Sequence, residues 1–162
     1  MTELMSMRGY TRLAFALAAA SSIETLQHRN IITLPVAVAG ISALLPDIDH
    51  PESLLGRKIK PISWLINKLL GHRTITHSLD FALGLCLVVL LSSNFSYWAW
   101  MFALGYVSHL LLDSLTLSGI KLSMFRQNST IGFRVVKTGG VVDNTIFVVC
   151  LLILSFLITK HA

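Results

Sequence analysis

Leu44-Leu45-Pro46-Asp47-Ile48-Asp49-His50-Pro51 is the stretch that decides how this chain is read. An apolar run over residues 31–46 reaches a proline and is followed at once by two carboxylates and an imidazole. Two further stretches repeat the pattern. Gly71-His72-Arg73-Thr74-Ile75-Thr76-His77-Ser78 stands just ahead of an apolar run, and Ser108-His109-Leu110-Leu111-Leu112-Asp113 lies near the end of another. Ionisable groups are costly in hydrocarbon and unusual in a small membrane protein, so their position at the ends of greasy segments needs a cause. The most economical cause is a metal site shared between them near one membrane face.

Bulk composition supports the membrane setting. Of the 162 residues 54% are hydrophobic and 13% charged, whereas a soluble domain carries about 25% charged residues. The length suits one integral membrane domain over residues 1–162 and leaves no room for a sizeable soluble one. A net charge of +5 raises the question of nucleic acid, but the basic residues sit in short loops between apolar runs. Lipid headgroups and membrane topology account for that distribution, and no recognition motif for DNA accompanies it. Cys86 and Cys150 fall inside apolar runs and read as buried thiols.

The pattern predicts an all-α, polytopic helical bundle of four to five hydrophobic segments. These are residues 11–27, 31–46, 79–93, 97–117 and 141–159. The first two read either as spans or as a re-entrant pair, since 31–46 falls short of the roughly 20 residues of a full crossing. Residues 59–70 read as a short amphipathic helix with Ile62, Leu65, Ile66 and Leu69 on one face, lying along the headgroups with Trp64 at the boundary. An N-in arrangement leaves only Arg29 and Lys160 outside among the basic residues. The positive-inside rule therefore places the N-terminus and the loops 47–78 and 118–140 in the cytoplasm.

That topology gathers the polar candidates on one face. Asp47, Asp49 and His50 follow the second segment, His72 and His77 precede the third, His109 and Asp113 end the fourth, and Asp143 opens the fifth. His109 and Asp113 are four apart on a helix, so they share a face, as two ligands or as a ligand with its carboxylate orienter. Asp47 and Asp49 share a side if the segment between Pro46 and Pro51 is extended. Imidazole with carboxylate suits a divalent transition metal, zinc foremost, with manganese or iron as alternatives. Taken singly, each residue also has an ordinary reading as a cap, a turn residue or a headgroup-level side chain. Asp80 lies at the same face and could assist. His28 and His161 fall at the opposite face.

Read together, Leu44 to Pro51, Gly71 to Leu79 and Gly105 to Thr116 resemble the bacterial YdjM-like inner-membrane proteins, described as predicted metal-dependent hydrolases. Three separated motifs in order carry the resemblance over most of the chain. It implies a bacterial inner-membrane location, a metal-dependent hydrolase by designation and, for some members, induction with the DNA-damage response. Two positions depart from the family pattern. Tyr10 follows Gly9 where relatives carry histidine, and Asp143 follows Gly139-Gly140 where relatives carry glutamate.

As an enzyme, the chain would hydrolyse with metal-activated water, because no Gly-x-Ser-x-Gly or Cys-His arrangement supplies a protein nucleophile. Asp49, His50, His72, His77, His109, Asp113 and Asp143 form the ligand pool. Asp47 or Asp49 would act as bridge or base, and Arg73 would hold a phosphoryl or carboxylate oxygen. A site at membrane depth favours a lipid-linked or amphiphilic substrate, with membrane lipids as neighbours. Three rival readings stand beside this one: a non-catalytic membrane protein with a structural metal site, a metal or proton transporter, and a DNA-binding protein.

Overall fold

The computed structural model describes residues 8–70, 75–123 and 130–161. Helices dominate it: α1 (Gly9–Leu26), α2 (Leu34–Ser42), α3 (Lys60–Leu70), α4 (Leu79–Ser92), α5 (Tyr97–Leu115) and α6 (Val141–His161). Between α5 and α6 the chain makes a small antiparallel ribbon, β1 (Ile120–Lys121) with β2 (Thr130–Ile131), pairing Ile120 with Ile131. That ribbon lies in a loop whose basic residues, not its strands, attract notice in the sequence.

Alanine dominates the middle of α1, so neighbouring helices can approach it from nearly every side. Ala14, Ala16, Ala18 and Ala20 are all buried. The helix packs against α2, α5 and α6, and α5 in turn packs against α2 and α4. Ala20, Val36, Ala39 and Met101 join α1, α2 and α5. Ala82, Cys86, Tyr106 and Leu110 join α4 to α5. Ala14, Ala18 and Cys150 seat α6 on α1. The closest approach is at Gly105, where an added Cβ would overlap the Ala39 carbonyl and the Ser42 hydroxyl. Small residues that let backbones meet are what helix pairs in lipid use, since apolar burial gives them little drive there. Both cysteines are buried free thiols.

Polarity runs inside out. The outer helices turn apolar side chains outward, with Leu83, Leu87, Val88 and Leu91 exposed on α4 and Val148, Leu152 and Phe156 exposed on α6. Among the described helices, α6 alone is long and apolar enough to cross a membrane, and α4 is apolar but shorter. The amphipathic α3 follows the same logic. Ser63 is buried and Asn67 donates to the Asp49 carbonyl at 2.7 Å, while Ile62, Trp64, Leu65 and Leu69 stay exposed.

The second hydrophobic run departs from expectation. Its helix covers only Leu34–Ser42, a rise of about 14 Å against a hydrocarbon core of about 30 Å. The helix stops because the chain tightens into a 3-10 turn, Leu45–Asp49, with Pro46 in its opening positions. Proline suits that place, as its fixed φ fits and its missing N–H is not needed there. Asp47 N–H bonds Leu44 O at 3.2 Å and His50 N–H bonds Asp47 O at 3.0 Å. The segment is therefore not extended, and Asp47 and Asp49 do not share a side. With about three residues per turn, residues two apart point in different directions.

Candidate metal centre

The starts of α1, α4 and α6 and the ends of α2 and α5 meet at one end of the bundle. Arg12 of α1 bridges Asp47, from the turn after α2, to Asp113 near the end of α5, with all three buried. Thr11 donates to Asp143 of α6 at 2.7 Å, and Arg8 Nη1 reaches Asn144 at 3.3 Å. His77 enters just ahead of α4, and His109 lies one turn before Asp113. At the other end Thr33 donates to Glu24, Arg29 covers the Tyr97 ring and His161 meets Thr25. These two sets of contacts make successive long helices run in alternating directions.

Each imidazole is fixed by what its Nδ1 touches. His109 Nδ1 lies 2.6 Å from the Ala43 carbonyl, which can only accept, so Nδ1 carries the proton. His77 Nδ1 lies 3.1 Å from Thr76 Oγ1, and that hydroxyl donates to Asp49 Oδ2 at 3.2 Å. With its own proton committed to a carboxylate, the threonine accepts from His77. Tyr106 holds the same strand of chain by donating to the Thr76 carbonyl at 2.8 Å. Both rings therefore present Nε2 as a lone pair, the tautomer that metal-binding histidines adopt when their other nitrogen is hydrogen-bonded.

The two lone pairs point at each other and at carboxylate oxygens. His77 Nε2 and His109 Nε2 are 3.3 Å apart. Asp47 Oδ1 lies 3.4 Å from His77 Nε2 and 3.8 Å from His109 Nε2. Asp113 Oδ2 lies 3.5 and 3.4 Å from the same two nitrogens. Donors at about 2.0–2.1 Å from a tetrahedral zinc stand about 3.3–3.4 Å from one another, so this spacing is that of a first coordination sphere. The set that closes on itself within 4.8 Å is Asp47, His77 and His109, with Asp113 reaching both imidazoles. Four acceptors facing one point repel unless a cation sits among them. Nitrogen with carboxylate oxygen suits zinc, manganese or iron, and the residues present fit such an ion.

Charge agrees with geometry. Asp47 and Asp113 bring two negative charges against the one positive charge of Arg12. Burial works to raise the Asp47 carboxyl, but the Arg12 guanidinium beside it outweighs that and holds it well below the usual carboxylate range. Burial pushes His77 below its ordinary value despite the carboxylates of Asp47 and Asp113 beside it. A carboxylate and a neutral imidazole are the ligand forms of those two side chains.

The remaining candidates fall in several places. Asp49 is buried but points at Thr76, where it orients His77 through the hydroxyl. His50 closes the 3-10 turn in an extended conformation and is not in the closed donor set. Asp143 has one oxygen on Thr11 and the other on the Gly139 N–H at 2.8 Å, so it ties the start of α6 to α1. Tyr10 is 60% exposed and is not in the closed donor set. Asp80, in the first turn of α4, accepts from the Phe81 N–H and from Ser123. His72 and Arg73 lie outside the described residues.

Sequence reasoning missed Arg12, which it used only to count charge on the cytoplasmic side. The available signal was a full charge inside the first helix instead of ahead of it. Thr76 and the Ala43 carbonyl gave no signal, since orientation of an imidazole depends on tertiary placement.

Comparison with known proteins places the chain among relatives of the same kind. The family model for the YdjM inner membrane protein matches residues 7–162. An uncharacterized protein of Bacillus subtilis (strain 168), YvsG, is 38% identical over 113 residues, covering 66% of this chain and 67% of that protein. The inner membrane protein YdjM of Escherichia coli (strain K12) is 41% identical over 92 residues, 54% of this chain. The match spans about half of that protein's length, 47%. No solved structure matches.

Proposed function

The chain belongs to the YdjM inner membrane protein family, and on that premise we propose that it is a metal-dependent hydrolase of the bacterial inner membrane. The observation that carries the reading is the convergence of two tautomer-fixed Nε2 atoms and two carboxylate oxygens with separations of 3.3 to 3.8 Å. Asp47, His77 and His109 would hold the ion, with Asp113 as fourth donor or as the carboxylate beside His109. When bound, zinc or manganese there would acidify a water and polarise an ester oxygen.

The chain's own residues have separable tasks. Thr76 and Asp49 aim His77, the Ala43 carbonyl aims His109, and Arg12 keeps the two ligand carboxylates apart and ionised. Arg73, in the loop before His77, is the candidate for gripping a phosphoryl or carboxylate oxygen. An amphiphilic or lipid-linked substrate, phosphoester among its options, suits the setting. An apolar groove of about 540 Å³ is lined by Pro51, Lys60, Pro61, Trp64 and Leu65, Pro51 being four residues after Asp47. In this reading the positive-inside distribution favours the cytoplasm for this end of a multi-pass bundle, whose clear span is α6 and whose α2 is too short to cross.

Burial favours one second reading. The His109 and Asp113 side chains are at most 1% exposed, which suits a structural ion that locks the helices together without catalysis. Hydrolysis of lipid-linked phosphates by the metal-loaded protein, abolished in His109→Ala, decides for the enzyme. Loss of thermal stability on chelation, with no turnover of any amphiphilic ester, decides for the structural ion.

A further inference from the structure

The pairing of Arg12 with Asp47 and Asp113 divides the four carboxylate oxygens into two sets. Asp47 Oδ1 and Asp113 Oδ2 face the histidines. Asp47 Oδ2 and Asp113 Oδ1 face the Nη1 and Nη2 of Arg12. Each carboxylate thus bridges two positive positions, as carboxylates do between the ions of two-metal hydrolytic sites, whose metals lie about 3.5–4 Å apart.

We propose that Arg12 is a built-in second cation: it occupies the second-ion position between Asp47 and Asp113, limits the centre to one metal ion and positions both carboxylates toward it. The inference rests on the metal reading above. A guanidinium suits the role because it is planar, permanently charged and able to bond two carboxylates with two parallel N–H groups. Lysine could match the charge, but from a single nitrogen instead of two held in one rigid plane. The burial of Arg12 makes the arrangement fixed. Its side chain is 1% exposed, and a buried cation of this kind stays only where anions surround it.

Metal stoichiometry tests the idea without any need for activity. The full chain, purified in detergent and stripped with chelator, would be titrated with Mn²⁺ under electron paramagnetic resonance and with Zn²⁺ under elemental analysis. The wild type is expected to hold one ion per chain with an uncoupled Mn²⁺ spectrum. Arg12→His, which puts a neutral donor where the cation stood, is expected to hold two, with an exchange-coupled Mn²⁺ signal. Arg12→Lys is expected to hold one, more weakly by about 10–100-fold, the usual cost of losing an orienting partner. Two ions in the wild type, or one ion in Arg12→His, would overturn the proposal while leaving a metal centre standing. If Arg12→His does not fold, Arg12→Lys decides, and an unchanged affinity overturns the positioning role. A wild type that holds no ion overturns the metal reading itself, and this proposal with it.

Discussion

The two ends of α1 each bury one charge, and the molecule treats them differently. Near its start, Arg12 is met by Asp47 and Asp113, residues 35 and 101 positions away. Near its end, Glu24 is met by Thr33 at 3.0 Å, only nine positions away, and its second carboxylate oxygen has no hydrogen-bond partner among the described residues. Two histidines lie against the carboxylates that meet the first charge, and none is among the described contacts of the second. One end draws side chains from four separate stretches and orients each through a further group. The other makes do with a local hydrogen bond and the Arg29–Tyr97 stack. Buried charge alone does not mark a site, then; convergence of oriented acceptors does.

Breaking the first end should have the largest consequence. His109→Ala removes an Nε2 lone pair fixed by the Ala43 carbonyl, so metal affinity is expected to fall by more than about 100-fold, measured by competition with a chromophoric chelator. Arg12→Ala leaves two buried carboxylates without their counter-ion. In metal-free protein it is expected to cost about 3–5 kcal/mol, read from thermal melting in detergent. Thr76→Val cuts the path from Asp49 to His77 and keeps the volume. Its expected effect is about 10–100-fold in metal affinity, with about 1–3 kcal/mol lost in the metal-free chain for the His77 N–H and Asp49 oxygen left without the hydroxyl.

The contrast sharpens with changes outside the centre. Gly105→Ala forces a methyl group against Ala39 and Ser42. It should destabilise by about 1–3 kcal/mol through overpacking, without altering the number of ions bound. Glu24→Gln, at the other end, should change stability by less than about 1 kcal/mol and leave metal binding untouched. A large loss of metal in Glu24→Gln would show that the two ends are coupled and the contrast mistaken.

Much of the architecture was legible in the chain. Apolar runs and loop charge located α4, α5 and α6 to within a few residues, and the amphipathic pattern of 59–70 located α3. Residues 31–46 misled because hydropathy does not register a chain tightening before proline. The helix ends at Ser42 and a 3-10 turn takes over. For the centre, spacing paired His109 with Asp113 and the motifs offered His77 as a ligand, while Asp47, read as bridge or base and outside the ligand pool, is the carboxylate that closes on the two histidines. Asp49 and Asp143 carried the same chemistry in sequence, yet a turn register aims one at Thr76 and a helix start commits the other to Thr11 and Gly139. Arg12 was legible as a charge but not as a partner, because partners across 101 residues are set by helix packing and not by any local pattern.

The central claim is that the converging Nε2 and carboxylate atoms form a metal centre. Cobalt(II) titration of the chelator-stripped wild type, followed by visible absorption, tests it most directly. A ligand-field band of a four- or five-coordinate nitrogen and oxygen site is expected, saturating at one equivalent and missing in His109→Ala. A wild type that shows no band and keeps no cobalt after desalting would contradict it.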